Sequence, residues 1–387
     1  MLKARGSALG AAGHSVISLG QAIPGFGPPQ AALDAARAAL ADSDTHLYSA
    51  DAGLPTLRET LCRHLKVRHA IDVIPDEVIV TAGGNQALMV ALMTLVDPGD
   101  EVLLPAPFFS NHEMAIKAIG AHPIEIALSE EQGFVVRWED LAPHITARTR
   151  ALVICTPSNP TGAVVDPDET TSIVRELAAR NIAVFTDEAY MDFVYEGGQE
   201  SAPVTHTRHE SRHWSVASLP AWRDNVVLTS TFSKSFGMTG WRVGYMLADR
   251  RVTDQAIKIQ DAMVICAPVI SQIAVEAALR EVPDYPLSFR EELKARRTLL
   301  ARRINAVPGL HWTPTRGGFF ALVRVDGCTD SVSLSYDVLD RAHVVTIPGS
   351  IFGRAAEGYL RLSYGAAGAA EIDEACDRIE EYFRSQR

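Results

Sequence analysis

The chain has 387 residues, which allows two or three domains of ordinary size, or one large α/β body with an appendage. Hydrophobic residues make up 47% of it, as in a soluble protein with a sizeable core, so a disordered or fibrous chain is excluded. The 36 Lys and Arg against 47 Asp and Glu give a net charge of −11 without basic blocks, which argues against a nucleic-acid partner.

The N-terminus and the cysteines indicate the compartment. Residues 1–15 contain no apolar segment typical of a signal peptide. The longest apolar stretch, residues 87–96, is far shorter than the roughly 18 residues that span a bilayer. Five scattered cysteines form no CxxC pair, which suits a reducing compartment. We therefore expect a cytoplasmic protein that does not enter a membrane.

The first part of the chain predicts an irregular arm followed by helices. Residues 18–29 are rich in Gly and Pro, and such a segment is either a linker or a substrate loop. A helix is predicted over residues 31–40. Another follows Pro55, where leucines recur on one helical face. The leucines are Leu54, Leu57, Leu61 and Leu65.

From residue 78 onward, short apolar strands alternate with helices. The predicted strands are 78–80, 101–104, 151–154, 182–185 and 226–228. Helical patterns lie between them, over residues 86–96 and 167–180. The strands are nearly continuous in apolar, β-branched residues, as strands covered on both faces are. This pattern predicts an α/β fold with a mainly parallel sheet.

After Tyr245 the pattern changes. A long helix is predicted over residues 254–280, then a charged helix over 290–305. Short strands are predicted at 319–323 and 360–362. These elements indicate a second, smaller α+β domain.

Polar segments follow the predicted strands, where ligands bind in a parallel α/β sheet. Thr81-Ala82-Gly83-Gly84-Asn85 opens a helix, so it is either a glycine turn or a phosphate site made of backbone N–H groups. It fits neither the Walker loop nor the spaced GxGxxG motif. Thr156-Pro157-Ser158-Asn159-Pro160-Thr161-Gly162 has the composition of a turn.

An acid and a lysine stand out further along the chain. Asp187 follows a strand, three residues before Tyr190, and is either a helix N-cap or a functional acid. Lys234 lies among hydroxyls, glycines and aromatics between Ser230 and Tyr245. Lysines are mostly exposed, but such neighbours are poor surface residues.

In this order, the segments resemble the class I/II aminotransferases, pyridoxal-phosphate enzymes of fold type I. The resemblance extends from about Ser18 to Tyr364. Three motifs carry it: the Asn-Pro-Thr-Gly loop, the Asp-Glu-Ala-Tyr segment, and the Ser-Lys block that continues into Gly-Trp-Arg-Val-Gly. It implies pyridoxal 5'-phosphate (PLP) as the cofactor and a three-layer α/β/α large domain with a smaller α+β domain.

The resemblance implies roles for the residues of these motifs. Lys234 would hold the cofactor as a Schiff base and move the substrate's α-proton, which requires a neutral amine. Asp187 would pair with the pyridine nitrogen, so that the ring accepts electrons. Tyr190 and Asn159 would hydrogen-bond the phenolic oxygen of the ring.

The same resemblance implies which residues bind the phosphate of the cofactor and which pack against the faces of its ring. The expected phosphate ligands are Gly83, Gly84, Asn85, Thr231, Ser233 and Arg242. Thr231 stands where the family often has serine, and the hydroxyl is retained. Phe109 would stack on one face of the ring and Ala189 would pack against the other.

The substrate site and the oligomer also follow from the resemblance. Arg361 matches the arginine that binds the α-carboxylate, with Asn159 nearby, whereas composition alone favours a surface arginine. Gly20 would lie in an arm that closes over the substrate. Tyr48 resembles the tyrosine that reaches the partner subunit's cofactor phosphate, so we expect a homodimer with shared active sites.

The predicted reaction moves an amino group from an L-amino acid to a 2-oxo acid. The arm and Phe108-Phe109 resemble the kynurenine, glutamine and methionine aminotransferases, which suggests a neutral, fairly large donor side chain. One alternative keeps the cofactor but catalyses β- or γ-elimination or ring closure, for instance of an arginine derivative, since the anchor residues are the same. Another is a non-enzymatic regulator, for which a DNA-binding domain would have to precede Ser18.

Two organisational expectations remain. The large PLP-binding domain is expected over residues 32–255, and the small domain over 1–31 and 256–387. His206, His209 and His213 are spaced like metal ligands on a helix but have no acidic or cysteine partner at a recognisable spacing, so we expect no metal there.

Overall fold

The computed structural model describes residues 2–195 and 213–386. The helices are α1 Leu2–Ala11, α2 Gln30–Ala39, α3 Pro55–His69, α4 Gly84–Leu95, α5 Ser110–Ala118, α6 Trp138–Leu141, α7 Pro167–Ala178, α8 Phe232–Ser235, α9 Arg250–Val264, α10 Val269–Glu281, α11 Arg290–Ile304, α12 Ser331–Ala342 and α13 Ala369–Ser385. The strands are β1 Ile17–Ser18, β2 Val78–Thr81, β3 Glu101–Ala106, β4 His122–Ala127, β5 Thr149–Cys155, β6 Ala183–Asp187, β7 Val226–Thr231, β8 Gly244–Leu247, β9 Leu310–His311, β10 Phe320–Val325, β11 Val344–Val345, β12 Ile347–Pro348 and β13 Tyr359–Ser363.

The larger sheet has seven strands in the order β2-β8-β7-β6-β5-β3-β4. β8 runs antiparallel to both of its neighbours, and the remaining pairs are parallel. The predicted mainly parallel α/β sheet is confirmed. Parallel strands bring their carboxyl ends to one edge, which is where the candidate site residues lie.

Helices cover both faces of this sheet, so the large unit has three layers. Alternate residues of β5 enter opposite cores: Leu152 and Ile154 pack with α7, whereas Ala151 and Val153 pack with α4 and α5. β5 is therefore apolar on both faces, which explains its unbroken hydrophobic pattern.

Helices on either side of residue 255 pack on this sheet unit. Residue 255 lies inside α9, whose Ala256 belongs to the core shared with α4. Further along, Ala274 and Ala278 of α10 share the other core with Ala32 of α2. The hydrophobic contacts of the large sheet thus extend through α10.

A second, antiparallel sheet with the strand order β12-β13-β10-β9 carries its own core. Ile17 and Leu19 from the N-terminal segment pack into this core, and β1 pairs in parallel with β11. Residues from both ends of the chain therefore meet in one hydrophobic core.

The long helix predicted over residues 254–280 is wrong. α9 ends at Val264 and α10 begins at Val269. Pro268 precedes α10, and the residue before a proline is disfavoured in helical conformation, so the helix is interrupted there although the apolar pattern continues. Ile265 at the break has a φ of 65°, which no α-helix accommodates.

Candidate active site

Lys234 lies on the short helix α8, directly after β7, an interior strand of the large sheet. The hydroxyl of Thr231 caps this helix by accepting a hydrogen bond from the Ser233 N–H at 3.1 Å. The Lys234 amine points inward and donates to the carbonyl of Ala22 in the N-terminal arm. Burial, followed by the positive charges of Arg361 and Arg242, lowers the pKa of Lys234 to about 8.

The predicted phosphate end is assembled from the ends of β2 and β7. Gly83 has a φ of 90°, and a Cβ there would lie 2.2 Å from the Arg242 guanidinium, so the close approach requires glycine. Arg242 Nη1 donates to Ser233 Oγ at 3.4 Å, and the hydroxyls of Thr231 and Ser233 are 2.8 Å apart. A guanidinium, two hydroxyls and a helix N-terminus thus converge, which is an anion-binding combination.

Asp187 ends β6 and is positioned by two hydrogen bonds. Its Oδ1 accepts from the Ala189 N–H at 3.1 Å, and its Oδ2 lies 2.8 Å from His112 Nε2. An ionised carboxylate only accepts, so Nε2 carries the proton. His112 is not among the residues predicted from the sequence, although its place in the first turn of α5, after Phe109 and β3, could have identified it.

Tyr190, Ala189 and Phe109 lie beside Asp187 and its histidine. Tyr190 is buried between the ring edges of Phe319 and Phe320, at centroid distances of 5.3 and 5.1 Å. Burial holds the pKa of the Tyr190 phenol well above its usual range, so the group stays protonated and can donate. Phe109 is half-buried and its ring meets His112 edge-on at 5.4 Å.

Arg361 lies on β13 and connects two other predicted substrate residues. Its Nη1 donates to Asn159 Oδ1 at 3.1 Å, and its Nη2 donates to the carbonyl of Gly20. Its Nε is buried and has no hydrogen-bond partner among the described residues. A buried, incompletely paired guanidinium is suited to bind a carboxylate.

Two predicted residues are exposed. Asn85 lies on the surface of the first turn of α4. Tyr48 is 77% exposed, next to the exposed Leu47. The Tyr48 side chain is therefore accessible to solvent or to another molecule.

Of the three histidines considered as metal ligands, the structure describes one. His206 and His209 lie outside the described residues. His213 is buried, and its Nε2 lies 2.8 Å from Glu188 Oε2. Within residues 2–195 and 213–386, no helix is both long and apolar enough to cross a bilayer.

Comparisons with known proteins agree over nearly the whole chain. The family model described as aminotransferase class I and II matches residues 14–379. An aspartate aminotransferase of Pyrococcus abyssi is 34% identical, with 96% of this chain and 92% of that protein covered. Aromatic-amino-acid aminotransferase 2 of Thermococcus litoralis is 33% identical, with coverages of 97% and 93%. The solved aromatic aminotransferase of Pyrococcus horikoshii superposes with a TM-score of 0.88 at 32% identity, over 100% of this chain and 99% of that one.

Proposed function

Because the chain belongs to the aminotransferase class I and II family, we propose that Lys234 is the residue through which it transfers amino groups. The family and its PLP dependence, expected from the motifs, are confirmed. The enzyme is a PLP-dependent aminotransferase, and its substrates are an amino acid and a 2-oxo acid. The relatives described above are named aminotransferases, so the elimination and cyclisation alternative is not favoured.

The observation that carries the proposal is the environment of Lys234. Its amine is buried and feels the positive charges of Arg361 and Arg242, and its pKa of about 8 leaves about a tenth of it neutral at pH 7. Only the neutral amine attacks a carbonyl or accepts a proton. Lys234 is therefore the group on this chain that can bind the cofactor covalently and move the proton at the substrate's α-carbon.

The surrounding residues fit PLP. Gly83 leaves room for the Arg242 guanidinium beside the N-terminus of α4, and Thr231 and Ser233 add hydroxyls, which suits a phosphate dianion. At the other side Asp187 offers a carboxylate to a protonated ring nitrogen. When bound, PLP supplies an electron sink for negative charge at the α-carbon.

Other residues orient the ring and fix Asp187. His112 Nε2–H donates to Asp187 Oδ2 and holds that carboxylate in place. Phe109 on one side and Ala189 on the other are assigned to the two ring faces, and the protonated Tyr190 is assigned to the ring's phenolic oxygen. Asn159 is assigned both to that oxygen and to the fixing of Arg361.

The substrate carboxylate is assigned to Arg361 under the N-terminal arm. The buried guanidinium reaches Asn159 and the backbone of Gly20, so the arm and the arginine form one wall of the site. This arrangement brings the substrate next to the Lys234 amine, which the same arm contacts through Ala22.

The donor proposed for this site is an amino acid with a neutral, fairly large side chain. The positive charges that lower the pKa of Lys234 are those of Arg361 and Arg242, which are assigned to the substrate α-carboxylate and to the phosphate. Neither remains for a second carboxylate. The Thermococcus litoralis relative is named for aromatic amino acids, in agreement with this donor class, whereas the Pyrococcus abyssi relative is named for aspartate.

A homodimer with shared sites is proposed from the exposed surface. Tyr48, Leu47 and Leu40 are 77%, 65% and 58% exposed, and apolar patches of this kind mark protein interfaces. Gln260 of α9 donates to the carbonyl of Asp51, so the end of α9, with Met263 exposed, adjoins the same segment. In a dimer Tyr48 reaches the partner's phosphate site.

The domain boundary and the cellular compartment complete the proposal. The large domain is proposed to extend from about residue 32 through α10 rather than to end at 255, because α10 packs against the large sheet. The five cysteines are free, as suits the reducing environment of the cytoplasm, where we place the enzyme.

The proposal is tested with holoenzyme and single amino acids, without added 2-oxo acid. Neutral donors with large side chains should each release up to one 2-oxo acid per site, without ammonia and faster than aspartate does. Continuous release of ammonia would instead indicate elimination. A Lys234→Ala variant should release none, whereas Lys258→Ala, a change on the surface of α9, should behave as wild type. Wild-type turnover by Lys234→Ala would refute the proposal.

A further inference from the structure

The guanidinium of Arg361 lies over two phenylalanine rings. Its Cζ is 5.1 Å from the ring centroid of Phe320 and 5.2 Å from that of Phe352. Both rings are almost fully buried. Resting on the carboxylate-binding role of Arg361 proposed above, we infer that Phe320 and Phe352 are positioning residues that hold this guanidinium ready for the substrate.

Phe320 reaches Arg361 through the register of the small sheet. Arg361 of β13 is paired with Leu322 of β10 in the antiparallel ladder. Phe320 lies two residues from Leu322 on the same strand, so it shares the face of Arg361 as its diagonal neighbour. The regular strand pairing alone thus places an aromatic ring next to the arginine.

Phe352 comes from a different element and is anchored to the large sheet unit. It ends the short helix Gly349–Phe352, directly after β12, whose Ile347 is paired with Arg361. Its carbonyl accepts a hydrogen bond from the Phe108 N–H at 2.9 Å. Gly353 has a φ of 110°, and a Cβ there would lie 3.0 Å from the Phe108 ring, so the close approach depends on glycine.

The rings stabilise the cation in a way that hydrogen bonds could not. Arg361 is buried, so its charge is desolvated, and this burial lowers its pKa to about 10. An aromatic face attracts the cation electrostatically and occupies none of its N–H groups. The hydrogen-bonding groups therefore remain for Asn159, the arm and a carboxylate, while the rings restrict where the guanidinium lies.

Phe352 also connects Arg361 with the segment that carries Phe109. Its ring contacts Arg361, and its backbone is bonded to Phe108, the neighbour of the ring-stacking candidate Phe109. A shift of this segment would move the carboxylate anchor relative to the cofactor ring. The expected consequence of weakening the contact is poorer binding of carboxylate substrates, with little change in the chemical step once substrate is bound.

The test replaces Phe352 in the holoenzyme by mono-, di- and trifluorinated phenylalanine. Fluorine withdraws charge from the ring face and barely changes its size, so the fold is kept. The KM for an amino acid and for a 2-oxo acid should rise with each fluorine, to about tenfold for the trifluorinated ring, as expected for loss of one desolvated cation–π contact. The kcat should change less than about twofold.

A second readout isolates the carboxylate. The corresponding amino acid amide has no anionic group, so its affinity, followed by the visible absorbance of the holoenzyme, should not change across the series. Equal weakening for acid and amide would overturn the inference. The same series at Phe185, buried in the large sheet, is the matched control and should leave KM unchanged.

The Arg361→Lys variant separates this inference from the proposed function. A large rise in KM for Arg361→Lys together with a flat fluorine series would reject the positioning role and leave the function intact. If Arg361→Lys left KM unchanged, the proposed carboxylate site itself would fail.

Discussion

The two ends of the active site are built around arginines in opposite environments. Arg242 is exposed, in a turn with a left-handed φ of 54°, and lies beside the backbone of Gly83. Arg361 is buried on a regular strand, with aromatic rings and Asn159 around it. The phosphate end comes from loops at one edge of the large sheet, whereas the carboxylate end combines a strand of the small sheet with the N-terminal arm and Asn159.

This difference matches what each end must do. A cofactor that stays bound can be held by backbone N–H groups and hydroxyls that the sheet positions once. A substrate must enter and leave, and its proposed anchor is a buried arginine covered by an arm that contacts both Arg361 and Lys234. Changes at the phosphate end should therefore affect the affinity for PLP, and changes at the carboxylate end should affect the KM for the amino acid.

The largest effect is expected at Asp187, which belongs to neither end. Asp187→Asn removes the negative charge assigned to the cofactor ring nitrogen and keeps the side-chain size. The kcat should fall on the order of 10²–10³-fold with KM for the amino acid nearly unchanged. Steady-state kinetics with saturating PLP measures this, and Asp254→Asn on α9 is the surface control. A change confined to KM would place Asp187 at the substrate end.

The next effect concerns stability without the cofactor. Burial lowers the pKa of Lys234 from 10.5 to about 8, so the folded apoprotein disfavours the charged amine. Below pH 8 both states are protonated and the full penalty acts. Between pH 8 and 10.5 the unfolded chain binds more protons, so wild-type stability rises with pH.

Lys234→Met lacks this penalty. At pH 7 the apoprotein variant should be more stable than wild type by roughly 3 kcal/mol, and the difference should shrink as pH approaches 10.5. Urea unfolding of both apoproteins at pH 7 and pH 9.5 measures it. A difference that did not vary with pH would show that packing, rather than charge burial, separates the two proteins.

The residues of the active site were not equally predictable from sequence. Gly83, Asp187 and Lys234 follow strands whose apolar runs are visible, so their meeting at one sheet edge was expected and is observed. Arg361 has no such signal and was identified only by resemblance. The rings of Phe320 and Phe352 meet it through strand register and a turn, which are tertiary features that no local pattern encodes.

Other failures have local causes. Residues 254–280 were read as one helix because the apolar pattern continues across Pro268, although the backbone does not. β4 and β8 were not predicted. β4 is an edge strand and only one of its six residues, Ile126, is buried, so it lacks the apolar run used to find the others.

Arg242→Leu tests the phosphate end. Removing the guanidinium should weaken PLP binding by about 10- to 100-fold, which is the size expected for hydrogen bonds to a charged group. At saturating PLP the KM for the amino acid should stay near the wild-type value, the reverse of the pattern expected for Arg361→Lys. Titration of the apoprotein with PLP measures the affinity for the cofactor. If both variants shifted the same constant, the division into two ends would be wrong.

The smallest effect is expected at His112, which touches Asp187 but neither end of the site. His112→Ala removes the 2.8 Å hydrogen bond to Asp187 Oδ2 and should lower kcat roughly 3- to 10-fold, the range for one hydrogen bond. His112→Gln retains an N–H donor and should recover most of the loss, whereas a side chain that merely filled space would be rescued equally by His112→Leu. Because the Ala189 N–H still holds Oδ1, the carboxylate stays in place, so PLP affinity and the KM for the amino acid should both remain close to wild type. A loss of cofactor comparable to that of Arg242→Leu would mean that His112 shapes the cofactor site as a whole rather than acting on Asp187 alone.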